Sequence, residues 1–534
     1  MKTRLAIASL MTGLASPALA GTLTVCLEGS PEIFNPQLTS SGTTSTVLGQ
    51  IYDNLVAVER GGSNIVPALA ESWTVSEDGK TYTFKLRQGV KWQSNAAFTP
   101  TRDFNADDVV FTFQRMMNPD HPFNKVNGGN YITFKTKLAD ALASVEKVDD
   151  YTVAFTLKAP LAPFTGIMAH GSIAMTSAEY ADAMAKAGTP EQFDRAPIGT
   201  GPFQLQAYQT DAMVRLLPFA DTWGAAAGIA ENTPMVDAII MAISPDASVR
   251  VQRALAGECA ISYYPNLADA DAIKASDKVD LVVAKVASSG FINFNFKMDK
   301  FKDIRVRQAL AHAINMEPLV EVVFNGMGHA TGAVVPPAFW GHADDLKPYA
   351  YDPAKAKALL AEAGLPNGFE TKLWAVPVSR PYMPNGRRAA EMIQADWAAI
   401  GVKAEIVTYE WAEYIQRSRA FEAEVGMFGG IYDFPDPSQI PNNYFTCNAE
   451  GKPSPSNIGA WCHDEFNAVM AKAGAITDQD ERAKLYVQAQ HILYDDVPAV
   501  MFGGADQLMA VGKSVKGFVP AIFGSSRMSG VSVD

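Results

Sequence analysis

The sequence predicts an α/β protein of two or three domains, or of two lobes with an added mixed region. Three observations carry that reading. The chain has 534 residues, more than one hydrophobic core usually organises. Helix and strand patterns intermingle without strict alternation along the chain. No internal repeat, low-complexity tract or sharp change of composition divides it, as expected when lobes are assembled from discontinuous segments.

Taken in order, the first twenty residues read as a secretory signal. Lys2 and Arg4 form a positive start, Leu5 to Leu14 a short apolar stretch, and Ser16-Pro17-Ala18-Leu19-Ala20 a small-x-small site with cleavage before Gly21. The apolar run is too short to span a bilayer. No cysteine follows the cleavage site directly, since Cys26 lies within a strand-like run, so a freely diffusing, periplasmic product is expected. Thr81–Arg87 alternates, with Tyr82, Phe84 and Leu86 on one face, and Ser76-Glu77-Asp78-Gly79 turns it back onto Trp73-Thr74-Val75. A second hairpin pairs Val145–Val148 with Tyr151–Leu157 around Asp149-Asp150. Asn105 caps a helix whose first turn holds Asp107 and Asp108. Further helices are expected over residues 303–315, from Asp352-Pro353 to Gly364, and over 384–400, with a strand at Glu405–Thr408.

The composition is that of a folded globular protein, 48% hydrophobic and 19% charged. Without the signal's Lys2 and Arg4, 42 basic residues face 57 acidic ones, a formal −15. That balance opposes nucleic-acid binding, which wants a basic face. Four cysteines, Cys26, Cys259, Cys447 and Cys462, permit three pairings in an oxidising compartment. Spacing does not choose among them, although the loop-like interval between Cys447 and Cys462 suits a local clip. No CxxC pair points to zinc, and no metal or cofactor is expected.

Catalytic motifs are absent from the sequence. None of His121, His170, His312, His329, His342, His463 and His491 stands in HExxH or HxH spacing. Gly199-Thr200-Gly201-Pro202 lacks the third glycine of a dinucleotide loop and the Lys-Ser/Thr of a phosphate loop, and it reads as a structural turn. There is no G-x-S-x-G elbow, and the Asp107-Asp108 pair is explained by helix capping. Binding without chemistry is the simpler expectation.

An ordered set of phrases resembles the family 5 solute-binding proteins, the dipeptide and oligopeptide carriers of ABC-type importers. It comprises Gly29-Ser30-Pro31-Glu32 with Phe34-Asn35-Pro36, Pro67 to Trp73, Glu77 to Arg87, Gly89 to Trp92, Ala106 to Phe111, Pro197 to Phe203, Val306 to Leu310 and Tyr351 to Ala356. Leu373 to Tyr382, Arg387 to Trp397 and Ile406 to Trp411 are similar almost word for word to dipeptide-binding members. The resemblance implies a two-lobed periplasmic-binding-protein fold with a hinged cleft and an extra subdomain on lobe one. Lobe I would span residues 21–285, completed by 505–534, and lobe II residues 286–504. It implies the disulfides Cys26–Cys259 and Cys447–Cys462. It also implies a monomer that binds dipeptides and passes them to an inner-membrane permease, with a chemoreceptor as a further partner. A non-peptide ligand such as haem or an amino-acid derivative is the alternative in the same class, and an exported hydrolase the alternative in another.

A zwitterionic peptide needs a cation for its carboxylate and an anion for its ammonium. The planar fork of an arginine suits the first role, and by resemblance Arg380 takes it. Asp433 stands where the ammonium would be held. The gap between them acts as a ruler, since each added residue lengthens an extended chain by about 3.4 Å. Gly42 and Thr43, with the neighbouring Ser41, and the ring of Tyr382 are further candidates for holding the ligand backbone. One departure concerns the aspartate's surroundings. Gly430 stands where dipeptide-binding members have tryptophan, Tyr432 where they have glycine, and Phe434-Pro435 where they have Asn-Gly. Asp436 is thereby a second candidate for the ammonium.

Overall fold

The computed structural model describes residues 21–534 apart from Ser40, Ala449 and Pro455. The expected signal segment lies outside the described residues. Two large sheets form two lobes. The first has seven strands in the order Val279–Ala284, Gln507–Gly512, Ile261–Tyr263, Thr22–Leu27, Ala238–Ile243, Met213–Pro218, Phe203–Gln209. Its centre is parallel, Thr22–Leu27 running with both Ala238–Ile243 and Ile261–Tyr263. The second has six strands in the order Gly328–His329, Ala499–Ala505, Ser288–Phe294, Val425–Ile431, Glu370–Trp374, Lys403–Val407, the last three mutually parallel. Ser288–Phe294 is buried along its whole length because other elements cover both of its faces.

A four-stranded antiparallel sheet, Ala70–Val75, Thr81–Leu86, Thr152–Leu157, Leu142–Asp149, builds an extra subdomain with its own core. Both expected hairpins are present in it. Tyr82, Phe84 and Leu86 are buried on one face, as the alternation requires. The strand Leu142–Asp149 extends beyond the Val145–Val148 run at both ends, with register irregularities between Leu142 and Ser144 and between Lys147 and Asp149. Asn105 caps the helix Ala106–Met117 through a reciprocal box with Asp108, whose carboxylate also takes both guanidinium ends of Arg102, at 2.7 and 2.8 Å. Asp107 pairs with Lys147, so neither carboxylate is left over for chemistry. The helix expected over 384–400 runs Gly386–Ala398, because Asn385 rather than the proline before it supplies the cap. The one expected over 303–315 runs Ile304–His312, capped by Asp303.

At Gly199 the turn lies so close to the neighbouring chain that a Cβ would fall 1.9 Å from Ile51 O. This is a packing reason for the glycine and leaves no phosphate cradle. Arg115 and Asp194, both fully buried, pair through two parallel bonds of 2.8 Å. Asn35 donates to the same carboxylate at 2.6 Å, which fastens the N-terminal segment to the subdomain. Cys26–Cys259 joins the strand Thr22–Leu27 to the loop just before its neighbour Ile261–Tyr263 in the first lobe, and Cys447–Cys462 closes a loop in the second. The chain passes between the two large sheets only at residues 285–287 and at Asp506.

Two outcomes follow from this packing. Mild reduction should open the partly exposed Cys447–Cys462 clip well before the buried Cys26–Cys259, read by mass spectrometry after alkylation, and loss of that 15-residue closure should cost up to about 3 kcal/mol. Asp194→Ala should cost about 3–5 kcal/mol in denaturant unfolding, because it strands the Arg115 guanidinium.

Candidate functional site: the seam between the lobes

Three loops leave the carboxyl ends of the parallel strands in the second lobe. They carry Arg380 after Glu370–Trp374, Trp411 after Lys403–Val407, and Asp433 after Val425–Ile431. Because those strands are parallel neighbours, the three residues emerge on one edge, where open α/β sheets bind ligands. Arg380 sits in a tight turn, exchanging two backbone hydrogen bonds with Met383 at 3.1 and 2.9 Å. Its guanidinium lies 4.7 Å over the Trp411 ring, an arrangement that holds a cation in place. Its Nε is buried and has no hydrogen-bond partner among the described residues. A cavity of about 280 Å³ adjoins this turn, lined by Val376, Pro377, Val378, Pro384, Thr408 and Tyr409 among others. A larger groove of about 410 Å³, lined by Glu370, Lys403 and Glu424, lies at the opposite, amino ends of these strands and away from the Arg380 turn.

Tyr382 is nearly buried, and burial pushes its hydroxyl pKa up. Its ring lies on Gly429, where a Cβ would come within 2.4 Å of it. Tyr444 donates to Gly429 O at 2.8 Å and lies in the electrostatic neighbourhood of both Tyr382 and Asp433. Tyrosines thus line the wall between the arginine and the aspartate.

Asp433 is half exposed. Its Oδ2 lies 3.0 Å from Lys137 Nζ, which belongs to the helix Ile132–Lys137 of the first lobe's subdomain. Phe434, next in the chain, is buried in that subdomain's core, and Lys137 Nζ lies 5.1 Å over its ring. Ala162 N–H donates to Gly474 O at 2.8 Å, and the rings of Phe339 and Phe523 meet at 4.9 Å. The lobes therefore touch in this conformation.

Asp436 is not an ammonium site. It is buried, takes Arg482 at 2.6 Å and the Tyr486 hydroxyl at 3.4 Å, and accepts the Ser438 N–H, so its oxygens are already used. The departures around the aspartate are likewise structural. A Cβ at Gly430 would sit 2.3 Å from Ile440 Cδ1, so Ile440 fills the space beside this glycine. Tyr432 is buried and donates to Val334 O at 3.2 Å.

From the first lobe, Gly42 and Thr43 open the helix Gly42–Leu48, which Ser41 caps. Thr43 donates to Glu28, at the carboxyl end of Thr22–Leu27, and space beyond the Gly42 Cα is open. Ser172 ties this region to His170, since its hydroxyl donates to Thr39 O at 3.1 Å and its N–H to His170 Nδ1. The His170 ring feels both Asp433 and Lys137. Lys137, His170 and Trp411 are the residues that sequence reasoning missed. Trp411 stood in a recognisable phrase, but Lys137 and His170 carry no local signal.

The family model for "Bacterial extracellular solute-binding proteins, family 5 Middle" matches residues 64–452. The chain belongs to the family 5 extracellular solute-binding proteins. Among relatives of this solute-binding protein, the dipeptide-binding protein of Escherichia coli is 45% identical over 522 residues, 97% of this chain and 96% of that one. Heme-binding protein A of Haemophilus influenzae is 42% identical over 515 residues, 96% and 92% of the two chains. The structure of HbpA2 from Haemophilus parasuis superposes with a TM-score of 0.92 at 40% identity, covering 96% of this chain and all of that one. A dipeptide-binding protein from Pseudoalteromonas sp. SM9913 in complex with Met-Leu gives 0.74 at 32%, again with 96% and 100% coverage. Among the described residues of this family 5 protein, no helix is long and apolar enough to cross a membrane, and no cluster of three or more His, Cys, Asp or Glu could hold a metal ion.

Burial, with a smaller contribution from Lys137, lowers the His170 pKa from 6.5 to about 4, against the pull of Asp433. The unfolded chain takes this proton near 6.5 and the folded one near 4. Stability from His170 is therefore complete above pH 6.5 and is lost as pH falls through that window, by up to tenfold in the folding constant per unit. Urea midpoints measured from pH 7 to 4 should fall less steeply in His170→Gln than in the native protein.

Proposed function

We propose that this chain is the periplasmic solute-binding component of an ABC-type importer, which holds a dipeptide between its lobes and presents the closed form to a membrane permease. The observation that carries this reading is the Arg380 guanidinium, held over Trp411 on the same edge of the parallel strands from which the half-exposed Asp433 emerges. A free carboxylate can take the arginine's fork, and the amino terminus the aspartate. Gly42 and Thr43 from the first lobe and Tyr382 from the second flank the peptide between those ends. Since the sheets are joined at two short crossings, a ligand that contacts both lobes favours the closed form over the open one. The names of the relatives support a peptide ligand, with haem or an amino-acid derivative as the second reading because of the likeness to heme-binding protein A. A chemoreceptor would read the same closed surface, and the protein would act as a monomer.

Calorimetry with a dipeptide panel checks the reading. Arg380→Ala should weaken free-carboxylate dipeptides by at least about thirtyfold, the equivalent of about 2 kcal/mol for a truncated charge pair. Undiminished affinity would remove Arg380 from the site. Mass spectrometry of ligand released from native protein separates peptide from haem, and incubation with a dipeptide followed by product analysis separates a carrier from a hydrolase.

A further inference from the structure

Asp433 already has a cation. Lys137 reaches it from the opposite lobe at 3.0 Å, and its own side chain is only about one-fifth exposed. Lys135, on the same short helix, is exposed and donates to Gly129 O at 3.4 Å, so the helix end by itself does not require a lysine turned into the seam. An incoming ammonium would leave two cations sharing one carboxylate in a partly desolvated place, and like charges brought together there are costly. His170 does not relieve this, since it is neutral at pH 7. The arrangement is balanced when the ligand brings a carboxylate of its own to this end.

Resting on the dipeptide reading above, we propose that Lys137 is a specificity-determining residue that selects ligands whose amino-terminal residue is acidic. The ammonium of such a residue lies on Asp433, and its side-chain carboxylate, only a few bonds away, lies on Lys137. One ligand residue then bridges the two lobes and replaces a direct clasp with a four-charge network. The preference works against the chain's overall negative charge, which repels acidic ligands, so it has to come from a local cation.

The test is a ratio of affinities, which is insensitive to any general loss of closure. Glu-Ala, Gln-Ala and Ala-Ala are titrated by calorimetry into the mature protein and into Lys137→Met, Lys137→Gln and Lys137→Arg, each checked for folding by circular dichroism. Native protein should bind Glu-Ala at least fivefold more tightly than Gln-Ala. The ratio should fall to near one in Lys137→Met and Lys137→Gln, return in Lys137→Arg, and shrink in native protein at high salt. A native ratio near one with Ala-Ala still bound overturns the role of Lys137 and leaves the dipeptide reading standing. A ratio kept in both uncharged variants does the same and reduces Lys137 to a structural clasp. Failure of native protein to bind any of the three overturns both.

Discussion

The constraint behind the rest of the structure is that two independently cored sheets are joined by two very short passages, residues 285–287 and Asp506. So slight a covalent link leaves the relative placement of the lobes to side chains that meet across the seam. Among the described residues those contacts are of mixed kind and include a phenylalanine accepted into the neighbouring core, a lysine on an aspartate, a backbone hydrogen bond, an aromatic pair near the C-terminus, and Val58 and Ile522 packed against the second lobe's core. Contacts between lobes of one chain are the kind that hinge motions break and remake.

The charges of the molecule sort themselves by burial. Arg115 with Asp194 and Arg482 with Asp436 are buried inside one lobe with most of their oxygens and donors engaged, and breaking either would leave an uncompensated charge. Lys137 with Asp433, by contrast, lies between lobes and keeps half of the carboxylate exposed. Arg380 holds its charge against an aromatic face, with a buried donor unused. The first group gains most from staying fixed, and the second retains capacity to bind something else.

Much of the local structure was legible in the chain. The strand over residues 81–86 follows from alternation, the helix after Asn105 from its cap and acidic first turn, and the helix Pro353–Glu362 from proline at its first position. Small errors arose where two caps competed, as at Pro384 and Asn385. Asp436 misled for a different reason. A carboxylate's partners can come from anywhere in the fold, and Arg482, forty-six residues later, gives no sign in the sequence of reaching it.

The sequence alone determined the class of fold, the absence of recognisable catalytic motifs, and the candidate pair Arg380 and Asp433, because each depends on local periodicity or on an ordered set of phrases. Only the tertiary structure decided which aspartate is spent on packing and which faces the seam. It alone brought Lys137 and His170 to Asp433 and set Trp411 beneath Arg380. The physical reason is that burial and charge pairing are properties of a position in space, and distant segments share such a position only once the sheets and their connecting loops have packed.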